Sequence, residues 1–343
     1  MRAFVITGPG RAEVADVPEP VAAPGEVVVD VLRAGVCGTD VEFFTGHMAY
    51  LHDGNAAYPV RIGHEWMGIV REVGAAADAP WLGRRVTGDT MLGCGRCRLC
   101  LAGRQHVCSA REEVGIRHGR AGALAERIAV PAASLHTLPD VVDEVLGALV
   151  EPAGNALRAA RAAGDAEQVL IIGPGTIGLL AAMFVRAGGG VPHLVGIAPE
   201  SVEFARSLGF DATLVSPGGW DAIPPLPFDA VIDAATDAAT GARAIDLVQP
   251  GGRVVFIGIA SEPSLVDTRA LLLKDATATG ILSASPGLDA AIAGLASGAA
   301  SGALDARPLV AATVGLDDVA AVLAGRRPAG AGPGPKIHVD PGR

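Results

Sequence analysis

The tightest constraint on how this chain can fold is the spacing of its cysteines. Cys94, Cys97, Cys100 and Cys108 are packed into GCGRCRLCLAGRQHVC, and the fifth, Cys37, stands apart in GVCGTD. Four thiols at this spacing can converge on one tetrahedral zinc if the backbone turns sharply between them, and Gly95 and Gly103 permit such turns. Disulfides are the poorer reading, because cysteines two residues apart do not pair into two unstrained bridges. Pairing would also need an oxidising compartment, and the opening MRAFVITGPG has neither the apolar stretch nor the cleavage site of a secretion signal. The expectation is a closed structural zinc lobe over residues 93–109, reduced thiols and a cytoplasmic location.

At 343 residues and 50% hydrophobic, the chain is long and apolar enough for two domains, each with its own core. Its apolar runs are broken by Gly, Pro and charge, so no membrane span is expected. A net charge of -10, with no basic cluster beyond pairs such as Arg84 and Arg85, argues against a nucleic-acid partner and for small-molecule chemistry.

The first part of the chain reads as short Val-rich strands closed by Gly or Pro: RAFVIT at 2–7, EVVVDVLRAGV at 26–36 and MGIVREVG at 67–74. That texture predicts a mostly antiparallel, barrel-like domain. From about residue 153 the texture changes to strands alternating with helices, from QVLIIG and TIGLLAAMFVRAG through PFDAVIDAAT to RVVFIGI, as in a doubly wound parallel sheet. The fold class is therefore α/β: a β-barrel domain over 1–152, an inserted doubly wound unit over 153–283, and a return to the first domain over 284–343.

Gly173, Gly175 and Gly178 form GPGTIG between a predicted strand and a helix opened by Thr176 and Ile177. Glycines at this spacing allow a tight turn, close approach of a pyrophosphate and close helix-to-strand packing, and the helix N-terminus then faces the phosphates. The acidic residue that would bind an NAD ribose is absent, since the second strand ends at Gly196 in HLVGIAPE. His193 and Arg206 are the nearest cations that could meet a 2′-phosphate, so NAD and NADP both stay open.

Cys37, His64 in RIGHEWMG and Glu151 in VEPAGN form a thiolate, imidazole and carboxylate set of the kind that holds a catalytic zinc with one position open, and Glu65 adjoins His64. Taken singly, each has a plain structural reading: a small buried thiol, a hydrogen-bonded core histidine and a helix N-terminal carboxylate.

GVCGTD, GHEWMGIVREVG, the four-cysteine segment, GALAERIAVP, VEPAGNALRA, IIGPGTIGLLAA and PGGRVVFIG, in this order, resemble the zinc-dependent medium-chain dehydrogenase/reductase family, the alcohol dehydrogenase superfamily. The resemblance covers nearly the whole chain. It implies a GroES-like catalytic domain with a Rossmann insert, two zinc ions per chain, and hydride transfer between an alcohol and NAD or NADP. By motif, Cys37, His64 and Glu151 would hold the catalytic zinc, Glu65 would bind it when water is displaced, and Thr39 would begin a proton relay. Glu42 stands where several relatives carry a relay histidine.

The Glu-Pro at Glu151 resembles the sorbitol, glucose and polyol dehydrogenases, which implies a polyol, sugar, cyclitol or amino-alcohol substrate; a simple secondary alcohol or a specialised ketone is the alternative. His47, Tyr50, His52, Asp53 and Asn55, in the loop between the two zinc segments, are candidates for binding substrate hydroxyls or are a solvated surface. A homodimer or homotetramer is implied, with RVVFIGI and the segment after it candidates for the interface, although a buried core strand is the simpler account of RVVFIGI. A zinc-free reductase of the same superfamily would lack the thiol lobe and the GHE segment, and a non-catalytic relative would have damaged ligands.

Overall fold

The computed structural model describes residues 1–215, 219–301 and 304–343. Two strands, β1 (Arg2–Gly8) and β2 (Arg11–Asp16), form an antiparallel ribbon. The main barrel sheet is built around β3 (Glu26–Gly35), whose run of β-branched Val27, Val28, Val29 and Val31 favours extended backbone. It pairs antiparallel with β4 (Glu65–Val73), which in turn pairs with β5 (Arg85–Gly88). Helices α1 (Gly38–Thr45) and α2 (Ala49–His52) fill the connection between β3 and β4. The small ribbon of β6 (Met91–Leu92) and β7 (Glu112–Glu113) brackets the cysteine segment, which carries α3 (Arg98–Leu101). β8 (Arg127–Pro131) joins β3, and β9 (Leu135–Thr137) joins β5. Phe4, Ile6, Phe43, Ile62, Trp66 and Ile128 fill the interior of this unit.

Helices α4 (Glu144–Ala148) and α5 (Val150–Ala162) lead into the second unit. Its strands are β10 (Gln168–Ile172), β11 (Val191–Gly196), β12 (Asp211–Leu214), β13 (Phe228–Asp233), β14 (Val248–Phe256) and β15 (Thr277–Gly280). All pair in parallel, in the order β12-β11-β10-β13-β14-β15. Counted from β10 this is the 3-2-1-4-5-6 order of a dinucleotide-binding sheet, with its switch point at the carboxyl end of β10. The crossovers carry α6 (Thr176–Ala187), α7 (Pro199–Ser207), α8 (Thr240–Leu247) and α9 (Thr268–Leu273). α6 is buried along Gly178–Val185 because it lies between the sheet and other helices, which is why its sequence is apolar on every side.

The returning segment opens with a helix. α10 (Leu288–Ser301) packs on α5 through Leu288, Ala291, Ile292 and Leu295, and Gly294 lies against the Phe184 ring of α6. The apolar cluster that the helix joins also holds Met67 of β4 and Leu146 of α4, so α10 lies where the cores of the two units meet. Pairing with the barrel sheet begins at β16 (Val310–Val314), followed by α11 (Val319–Leu323) and β17 (Lys336–Val339), which lies antiparallel to β3. The RVVFIGI strand lies between β13 and β15, so it is a core strand and the open edge of the sheet is β15. The short DATL strand, which no periodicity announces, closes the opposite edge. Among the described residues no helix is long and apolar enough to cross a membrane.

Candidate active site

The thiol lobe is built by its turns. Gly95 and Gly103 adopt left-handed φ values of 70° and 68°, where a side chain would be strained. Cys97 caps α3, its sulfur accepting the Cys100 N–H at 3.5 Å. The sulfurs stand 4.0 Å (Cys94 to Cys100), 3.5 Å (Cys97 to Cys100) and 3.8 Å (Cys97 to Cys108) apart. A disulfide would need about 2.0 Å. A tetrahedron of zinc–sulfur bonds of about 2.3 Å has edges of about 3.8 Å, so the four thiols fit one zinc. The N–H groups of Arg96 and Cys97 lower the Cys94 thiol to about 6, favouring the thiolate that a metal requires.

The second constellation forms where α1, β3, β4 and β17 meet. Cys37 caps α1, and its backbone N–H donates to Asp40 Oδ2 at 2.8 Å. The other oxygen of Asp40 accepts the Gly63 N–H at 3.3 Å and lies 3.8 Å from His64 Nδ1. Buried Asp40 thus ties the Cys37 turn to the segment that presents His64. Glu65 opens β4 opposite Gly35 of β3, and a Cβ on Gly35 would lie 2.1 Å from Glu65 Oε2. Only a glycine there lets the carboxylate cross β3 to Lys336 of β17, whose Nζ donates to Oε1 at 2.8 Å, to Oε2 at 2.7 Å and to Val36 O at 3.0 Å.

One ligand atom from each of Cys37, His64 and Glu65 lies within 4.8 Å of the others. His64 Nδ1 is buried without a hydrogen-bond partner. A thiol, an imidazole and a carboxylate converging in this way are a donor set that fits zinc, and the unpartnered Nδ1 is the ring nitrogen that faces Asp40. Glu151, in the first turn of α5, is buried but lies outside that set of three; Asn155 Nδ2 donates to its Oε1 at 2.9 Å. Burial pushes Glu151 up to about 7, opposed by His64. Burial also acts against a charged His64, yet the Cys37 sulfur, Asp40 and Glu151 carry it well above its ordinary value. For Lys336, burial lowers the pKa, and Glu65 and Cys37 outweigh it to leave the group raised.

Thr39 lies half-buried in the first turn of α1. Burial raises Glu42, and its backbone oxygen accepts the N–H groups of His47 and Met48 that form the following turn. In the loop, Tyr50 and Asn55 are fastened to the lobe side. Arg111 Nη2 donates to Tyr50 Oη at 3.1 Å, and Arg117 Nη2 donates to Asn55 Oδ1 at 2.8 Å. His47, His52 and Asp53 are exposed; His52 Nε2 bonds Gly46 O, and Asp53 accepts the Asn55 N–H.

At the glycine turn each residue does separate work. Gly173 has φ 98° against the Ala234 backbone; Gly175 caps α6 with open space where its Cβ would be; a Cβ on Gly178 would meet Gly173 O at 1.9 Å. Thr176 and Ile177 begin α6 beside that open space. At Gly196 a Cβ would lie 2.6 Å from Pro174 Cγ, so the site of the missing acid is closed by the turn itself. His193 bonds Gln168 Oε1 at 2.9 Å beside the Phe228 ring, and Arg206 binds Ala212 O and Glu203, so both side chains have protein partners.

Asp40, Lys336, Asn155 and Gly35 were not legible as site residues. Asp40 carried a faint signal, an acid three residues after Cys37 at a helix start. Lys336 carried none.

A parallel sheet of dinucleotide-binding order together with a thiol, imidazole and carboxylate set that fits zinc places the chain among zinc-dependent NAD(P)-linked oxidoreductases. It belongs to the zinc-dependent medium-chain dehydrogenase family. Residues 23–140 match the family described as alcohol dehydrogenase GroES-like domain, and residues 176–297 match zinc-binding dehydrogenase. An L-threonine 3-dehydrogenase of Saccharopolyspora erythraea is 33% identical over 290 residues, covering 82% of this chain and 83% of that protein. A zinc-binding dehydrogenase of Sinorhizobium meliloti 1021, solved bound to NADP, aligns with TM-score 0.86 at 29% identity over 99% of both chains. Galactitol-1-phosphate dehydrogenase of Escherichia coli aligns with TM-score 0.83 at 25% identity, covering 99% of this chain and 100% of that one.

Proposed function

We propose that this dehydrogenase oxidises a small polar secondary alcohol of the polyol or amino-alcohol class at the Cys37, His64 and Glu65 constellation, with Glu151 as the further carboxylate ligand. The observation that carries this reading is the convergence of three unlike donor atoms, from Cys37, His64 and Glu65, within 4.8 Å of one another. The names of the relatives, a threonine and a galactitol-1-phosphate dehydrogenase, support the substrate class. When bound, zinc supplies Lewis-acid polarisation of a substrate oxygen and the dinucleotide supplies the hydride acceptor. The chain's own part is positional. Asp40 holds the two ligand-bearing segments in register, Lys336 aims the Glu65 carboxylate, and the Thr39 hydroxyl takes the departing proton toward solvent.

Gly173, Gly175, Thr176, Ile177 and Gly178 hold the pyrophosphate in this reading, and Gly196 leaves the ribose end without an acid to repel a 2′-phosphate. The reading favours NADP acceptance alongside NAD. Its test is the absorbance of reduced nicotinamide with each cofactor against polyols, amino alcohols including threonine, and simple secondary alcohols, with and without a zinc chelator. A chelator-sensitive signal with a polar substrate is expected; turnover only with simple apolar alcohols sinks the substrate class, and chelator-resistant turnover sinks the metal.

The four-thiol lobe is assigned the structural zinc, and its free thiols favour a reducing compartment. Cys97→Ser is expected to lower bound zinc by one ion per chain and reduce the melting temperature, since a structural metal contributes folding free energy directly. Metal analysis with calorimetry checks it; an unchanged midpoint refutes the role. A homo-oligomer formed at the β15 edge is the assembly we favour, because Leu272 and Leu273 beside it are 78% and 82% exposed.

A further inference from the structure

Two adjoining hollows of about 300 Å³ and 330 Å³ open on the side of the barrel unit, sharing Arg61, Gly119, Arg120 and Ala121. That size is at the small end of ligand sites. None of their lining residues belongs to the thiol lobe or to the Cys37, His64, Glu65 constellation. The walls differ in character. One end is apolar, formed by Val5, Val17, Ala56, Val60 and Ile116, and the other carries Arg61, Arg120 and Arg127 with a single lining carboxylate, Glu112.

The arginines are not equivalent. Arg120 is saturated by Glu26 and Glu112, each at 2.7 Å, and Arg127 by Glu19 at 2.6 Å and Asp30 at 2.8 Å. Arg61 lies between the two hollows, half-buried, and among the described residues its guanidinium has neither an ion pair nor a hydrogen bond. Burial without a facing carboxylate lowers its pKa. Its guanidinium is not among the buried unpartnered groups, so its N–H donors open toward the hollows and are free to meet an anion there. Its main chain is held in place, since Arg61 O accepts the Gly122 N–H at 2.8 Å, so the uncompensated group is on an ordered strand-like segment. A guanidinium suits a carboxylate through paired N–H donors, and the apolar end asks for a hydrocarbon body on the same molecule.

We propose that this groove binds a small aliphatic carboxylate, its carboxylate on Arg61 and its hydrocarbon chain along Val5, Val17, Val60 and Ile116. The site is separate from the dehydrogenase centre and does not depend on what that centre oxidises. Titration calorimetry of the zinc-loaded enzyme with hexanoate tests it, with hexanamide and inorganic phosphate at matched ionic strength as the other arms. Saturable hexanoate binding is expected, weakened by about tenfold or more in Arg61→Gln, as loss of a charged hydrogen-bonded pair implies. Because the substitution removes an unpaired cation, Arg61→Gln should melt no lower than the parent without ligand. Ala57→Leu, at an exposed position lining the apolar hollow, should also weaken hexanoate while leaving Arg61 in place. No saturable binding to the parent overturns the site. Affinity surviving in Arg61→Gln, as carboxylate binding at the metal centre would, overturns it equally. Hexanamide binding as tightly as hexanoate removes the charge recognition, and phosphate binding as tightly removes the hydrocarbon part.

Discussion

His64→Ala should lower kcat by about a thousandfold or more while leaving a folded protein that still binds nicotinamide nucleotide. The size follows from the loss of several kcal/mol of charge stabilisation on the reacting oxygen, at about 1.4 kcal/mol per tenfold in rate. The survival of the fold follows from where the neighbouring bonds go. Asp40 still accepts the Cys37 and Gly63 N–H groups, and Glu65 still meets Lys336, so the turn, the strand and the buried pair keep their partners. Steady-state rates, circular dichroism and nucleotide titration together check it. A variant with near-parental kcat would show that His64 holds no metal needed for turnover, and a variant that fails to fold would show that the histidine is a core residue first.

Lys336→Met should be the most destabilising single change near the site. Lys336 and Glu65 are both almost wholly buried, with side chains 5% and 2% exposed, so in the zinc-free protein removing the ammonium leaves a carboxylate without a counter-charge inside the barrel. Breaking such a pair costs about 3–5 kcal/mol, which lowers the midpoint of a unit of this size by on the order of ten degrees. The double variant Lys336→Met with Glu65→Gln should recover much of that loss, because the stranded charge is then gone. Denaturant and thermal melts of the two variants decide it. Equal stability of Lys336→Met and the parent would mean that water or another cation reaches Glu65.

The reach of sequence reasoning in this chain followed the distance between the residues involved. GPGTIG lies within one turn, and each of its glycines meets the steric demand that its spacing implied, down to the Gly178 Cβ position against Gly173 O. The four cysteines were equally local, their turns carried by Gly95 and Gly103. The Val-rich strands of the barrel fell within a residue or two of expectation, since β-branched runs closed by glycine leave the backbone little choice. What was hidden depends on tertiary packing. α10 reads as an Ala-rich helix wherever it docks, and only the faces of α5 and α6 decide where it packs. RVVFIGI is apolar because it is central, a state that pattern alone does not separate from an apolar edge. Glu65 was legible beside His64 while its partner was not, because Lys336 in KIHVD looks like any lysine at the end of a strand.

The pairing of β17 with β3 also has a kinetic meaning. The two halves of the Glu65–Lys336 contact are 271 positions apart, and the whole parallel sheet lies between them in the chain. Closing so long a loop carries an entropic cost that local strand pairing does not, and contacts of that span form late. The barrel can therefore collapse around β3, β4 and β8 early, but the carboxylate inside it stays unneutralised until the inserted sheet has brought the distal strand home. Completion of the metal-bearing unit is in this way made conditional on maturation of the nucleotide-bearing one, so that a chain whose insert misfolds is left with a frustrated charge at its centre and an open sheet edge beside it.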